Sequence, residues 1–150
     1  MMNRMSRLAG SAGLVALVAV GLGAPVAAAQ SKAPPDAAVH VRIVLPKGSS
    51  TVTGPNVHVV LEAQGIEIAP AVLQRAGTAH HHLFLDTDLT APDAAIPMGT
   101  PGIVHLGKGQ SEYSFEGVAP GTHRLIALLA DPNHVPLKPL VADTVRFDVK

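Results

Sequence analysis

The chain has 150 residues, 11 basic and 11 acidic side chains, eight histidines and no cysteine. That length suits one domain of ordinary size, and the lack of cysteine removes disulfides, thiolate catalysis, iron–sulfur clusters and lipoprotein acylation together. Balanced charge argues against nucleic acid as a partner, which needs a basic patch, and 3% aromatic residues with no tryptophan argues against a stacking platform.

Arg4 and Arg7 precede an uncharged run over residues 8–22, and Ala27-Ala28-Ala29 forms an A-x-A site before Gln30. This is the three-part pattern of a secretory signal peptide over 1–29, cleaved after Ala29. The apolar run is short of the roughly 20 residues that span a bilayer. Removal of residues 1–29 leaves 121 residues with nine basic and eleven acidic side chains and all eight histidines. The expected product lies in the periplasm or outside the cell, keeps no membrane segment, and must hold its fold by its core alone.

Residues 30–38, with Pro34 and Pro35, read as a flexible lead-in to a domain over 39–150. Period-2 alternation then dominates. Val39, Val41 and Ile43 alternate with His40 and Arg42, and residues 46–50 form a turn cluster. Val57, Val59, Leu61 and Ala63 alternate with His58 and Glu62. A weaker strand is expected over 65–69, then a helical turn or irregular connection over 71–75. The run HHHLFLD over 80–86 predicts a strand, and 88–102, with three prolines, a long loop. Short strands follow over 103–106 and 111–115, around the glycine turn at Gly107 and Gly109. The apolar run THRLIALLA predicts a strand over 122–130, residues 132–139 a Pro-rich loop, and 141–149 a last strand with Val145, Phe147 and Val149 on one face. Seven to eight short strands with Gly/Pro punctuation fit an all-β, immunoglobulin-like β-sandwich.

The histidines sort by strand face. On an extended strand His80 and His82 share one face, while His81 points the other way with Leu83 and Leu85. Two imidazoles at i and i+2 can ligate one metal ion, and copper and zinc sites use such donors. Further candidate ligands are His105 before a glycine turn, His134 in the Pro-rich loop, and Asp131 and His123 at the two ends of strand 122–130. Those two ends are roughly 26 Å apart at 3.3 Å per residue, so they cannot share one small site. His40 and His58 alternate with the buried positions and are expected to face solvent. A cluster titrating near pH 6.5 is also suited to sensing pH.

Other chemistry finds less support. Gly107-Lys108-Gly109-Gln110-Ser111 is not a phosphate loop, because it departs from GxxxxGK[ST] and no helix follows. Ser111 and Ser114 lack a nucleophile elbow, and Asp86, Asp88 and Asp93 read as polar loop residues. No catalytic residue is assigned.

Four stretches carry a family resemblance: Gly77-Thr78-Ala79-His80-His81-His82-Leu83, His105-Leu106-Gly107-Lys108-Gly109-Gln110-Ser111-Glu112, Pro120-Gly121-Thr122-His123 and Asp131-Pro132-Asn133-His134-Val135-Pro136. In this order they resemble an exported domain-of-unknown-function family, number 4399. The resemblance implies a single exported β domain and no established activity. Two expectations follow from the residues. One is a periplasmic domain that binds copper or zinc through His80 and His82, helped by His134, Asp131 or His105. The other is a non-catalytic cell-envelope interaction module, its histidines structural, meeting an envelope protein through loops 88–102 and 132–139.

Overall fold

The computed structural model describes residues 38–150; the expected signal peptide and most of the lead-in lie outside the described residues. Nine strands occur among them: β1 (His40–Leu45), β2 (Thr51–Val52), β3 (Val57–Gln64), β4 (Glu67–Ile68), β5 (Thr78–Leu85), β6 (Ile103–Leu106), β7 (Glu112–Phe115), β8 (Gly121–Ala130) and β9 (Ala142–Val149). A 3-10 turn, Ala71–Leu73, joins β4 to β5. β2 was not expected; it lies just after the turn cluster, and two residues are too few to show alternation. β4 is likewise shorter than the strand expected over 65–69.

The strands form an all-β sandwich. One sheet has the order β1-β3-β7; the other has the order β2-β9-β8-β5-β4, with β6 also paired to β5. Three strands facing a β9-β8-β5-β6 sheet reproduce the strand order of immunoglobulin domains, with β2 running parallel to β9 at the margin. Alternation explains the packing. Val41, Ile43, Val57, Val59 and Leu61 from the smaller sheet meet Leu83, Leu125, Ala127, Leu129, Phe147 and Val149 from the larger one in a single apolar cluster. His40 and His58, on the opposite parity, are exposed as expected.

β8 departs from simple alternation, because Leu125 to Ala130 are all buried. A strand covered on both faces reads as a continuous apolar run. The second cover comes from loop 88–102, which folds back over the outer face of the larger sheet. Its Ile96 is 2% exposed and packs with Phe84, Ile126, Leu128 and Ala130. The same Ile96 donates its backbone N–H to the His134 carbonyl at 2.9 Å, and Lys138 pairs with Asp93, so the two long loops are tied together.

Candidate metal centre

The register of the larger sheet assembles the site. β5 pairs antiparallel with β6, placing His82 directly opposite His105. Directly opposed residues point to the same face of a sheet, so His80, His82 and His105 share the outer face of the sheet. On its other side β5 pairs with β8, with His80 opposite Ala130. The chain leaving β8 therefore enters the loop 131–136 beside His80 and delivers His134 to the same place.

The four rings converge. Nε2 of His80 lies 3.0 Å from Nε2 of His82, and Nε2 of His134 lies 3.2 Å from Nε2 of His105. Centroids of the six ring pairs are 4.7–5.9 Å apart, the longest being His82 to His134. His80, His82 and His105 each offer a nitrogen within 4.8 Å of the others. Imidazoles bind zinc at about 2.0–2.1 Å, which puts tetrahedral donors a little over 3 Å from one another. The His80–His82 and His105–His134 pairs stand close to that separation without any movement of the strands.

The electrostatics keep His80, His82 and His105 neutral. Burial, followed by the nearby His105 and His134, pushes His80 down to about 4 against an upward pull from the Asp131 carboxylate. Burial pushes His82 down to about 3, with His80 and His105 adding to the effect. His105 is also lowered, by burial and then by His134. At neutral pH the lone pairs of His80, His82 and His105 are therefore available to a cation. Nδ1 of His80 and of His82 is buried without a hydrogen-bond partner, and the Nε2 contact between the two rings satisfies only one acceptor.

His134 has φ of +68°, in the left-handed region that non-glycine residues seldom occupy. Asp131 holds it there. The amides of Asn133 and Val135 donate to Asp131 Oδ1 at 2.8 and 2.9 Å, and the His134 amide donates to the Asp131 carbonyl at 2.8 Å. Asp131, a candidate ligand from the sequence, stands next to the cluster with Oδ1 committed to the turn that presents His134.

The remaining histidines lie elsewhere. His81 points into the sandwich core, where its Nδ1 is 3.3 Å from the Gln110 carbonyl, and burial lowers its pKa. His123 sits at the far end of β8 and pairs with Asp86 at 2.6 Å. Residues of the site that the sequence reading did not single out are Ile96, whose amide binds the His134 carbonyl, and Gly107, against which the His105 ring lies. An isoleucine isolated among prolines was the one available sign of the first; a glycine two residues beyond a histidine was the sign of the second.

The fold and the site together define an all-β sandwich with a histidine cluster, two rings buried and two half-buried, on the outer face of its larger sheet. Residues 59–150 match the family described as "Domain of unknown function (DUF4399)", and the chain belongs to that family. All four clustered histidines fall inside the match. No curated protein matches the chain. No helix among the described residues is long and apolar enough to cross a membrane.

Proposed function

We propose that this protein is an exported domain that binds one transition-metal ion, copper or zinc, through His80, His82 and His105, with His134 as the fourth donor. The observation that carries the reading is the convergence of three ligand nitrogens from two paired strands within 4.8 Å of one another. His80 and His82 are fully buried with unpartnered Nδ1 atoms, and burying polar rings against each other is unfavourable unless something is gained from it. The donor set is all nitrogen and uncharged, which suits zinc and copper and disfavours calcium and magnesium. Export rests on the charged, apolar and A-x-A segments of residues 1–29.

Titration of the purified protein with Cu(II) and Zn(II), beside a His80→Ala/His82→Ala variant, tests the reading. Stoichiometric binding by the wild type that the variant loses is the expected result. Equal and weak binding by both would overturn it, and the histidines would then be structural members of an envelope interaction module.

A further inference from the structure

We propose that Gly107 is a positioning residue for the metal centre: the missing side chain at this position lets the His105 imidazole lie across the backbone and reach His82 and His134. The inference rests on the metal-binding reading above and adds the residue that makes one of its ligands available. A methyl group on Gly107 would overlap Cε1 and Nε2 of His105, the edge of the ring that faces the other histidines, and would stand 3.0 Å from Nδ1. The backbone of Gly107 is not in the left-handed region, so glycine is not required there by conformation. What the position requires is space for the ring.

The chain around Gly107 has little room to retreat. Its carbonyl accepts the Ala71 amide at 3.0 Å, and Lys108 forms an isolated bridge with Pro70. Two residues on, a Cβ at Gly109 would already lie 3.1 Å from Pro70 Cδ. On the other side Leu106 is fully buried and paired to His81. With the backbone held on both sides, the flexible partner is the imidazole. An alanine at this position therefore displaces the His105 ring from the cluster and leaves the sandwich intact.

The test compares Gly107→Ala, His105→Ala and the double variant in the full mature protein. Zn(II) affinity is read by competition with a chromophoric chelator, and the Cu(II) environment by electron paramagnetic resonance. Gly107→Ala should weaken Zn(II) binding about 10–100-fold and change the Cu(II) spectrum, while the metal-free melting temperature stays at the wild-type value. The double variant should bind no more weakly than His105→Ala alone, because both substitutions act through one ring. Wild-type affinity in Gly107→Ala, or a further loss in the double variant, would overturn the proposal. Should Gly107→Ala fail to fold, removing the ring in the double variant should restore folding; if it does not, the role is one of backbone and the proposal falls. A wild type that binds no metal would refute the proposed function and with it the link from Gly107 to a metal, leaving the placement of the His105 ring by Gly107 to be tested separately. The His105 Hε1 resonance of the metal-free protein then decides: it should move in Gly107→Ala while that of His123 does not, and an unmoved resonance sinks the claim.

Discussion

Nδ1 of His123 lies 2.6 Å from Oδ2 of Asp86, and its Nε2 lies 2.8 Å from the Ala119 carbonyl, so both ring nitrogens face acceptors. That arrangement satisfies the imidazolium form. The Asp86 hydrogen bond raises the His123 pKa, against the effect of burial. Burial pushes Asp86 up, but the Arg124 amide and His123 together hold it below its ordinary value.

The pair has a defined pH window. The His123 contribution is fully present below its unfolded value of 6.5 and is lost as pH rises through the raised folded value. The Asp86 contribution is present above 3.8 and is lost as pH falls through the lowered folded value. The Asp86 side chain is 48% exposed, so solvent screens the pair, and Asp86→Asn should cost about 1 kcal/mol near pH 5.5. Urea unfolding at pH 5.5 and at pH well above neutrality checks this: the gap between wild type and variant should shrink on the alkaline side.

The other end of β8 responds to pH in the opposite sense. His80 and His82 have folded values of about 4 and about 3, below the 6.5 of the unfolded chain. The unfolded state thus binds more protons than the folded state below about 6.5, and the metal-free protein loses stability as pH falls through that range. Replacing His82 with Leu should flatten the acid limb of the stability curve and abolish metal binding. A variant as acid-labile as the wild type would show that the cluster does not set that limb.

Asp131 separates two roles by one pair of substitutions. As the acceptor for two backbone amides it can be replaced by Asn, whose side-chain oxygen makes the same bonds, but not by Ala. Asp131→Asn should retain Zn(II) affinity within a few-fold, whereas Asp131→Ala should cost about 1–3 kcal/mol of stability and weaken Zn(II) binding by releasing His134. Loss of binding in Asp131→Asn alone would instead make the carboxylate a ligand.

Ile96 joins the outer core to the site. Ile96→Ala removes a buried side chain and should cost about 2–4 kcal/mol. Because the Ile96 amide bonds the His134 carbonyl, a looser loop should also lower metal affinity, and hydrogen exchange should rise in both 88–102 and 131–136. Faster exchange confined to 88–102 would show that the two loops are not coupled.

Much of this arrangement was legible in the residues, and the remainder has physical causes. β1, β3, β5, β8 and β9 follow from alternation between glycines and prolines, and alternation alone puts His80 and His82 on one face and His81 on the other. The opposition of His82 and His105 was not legible, because cross-strand register depends on which strands pair, and β6 has only four residues. His134 depends on a loop conformation with positive φ, which no periodicity describes. The cover on the outer sheet face was half visible: LIALLA is apolar on both parities, as a doubly covered strand must be, but nothing in it says that Ile96 supplies the lid.

The three adjacent histidines of β5 have a consequence for how the strand finds its place. A strand that slips by one residue turns every side chain to the opposite face. At the middle position of the triplet such a slip exchanges one imidazole for another, so position 81 by itself does not tell the two alignments apart. The slip would nonetheless send two rings into the sandwich core and leave a lone ring outside, where it could not chelate. The information that distinguishes the two alignments is therefore carried by neighbours: Ala79 and Leu83 belong to the inner cluster and Phe84 to the outer one. The small Ala79 and the bulky Phe84 are the key that sets the lock, and substitutions that blur their difference would scramble the site while every histidine remained in the chain.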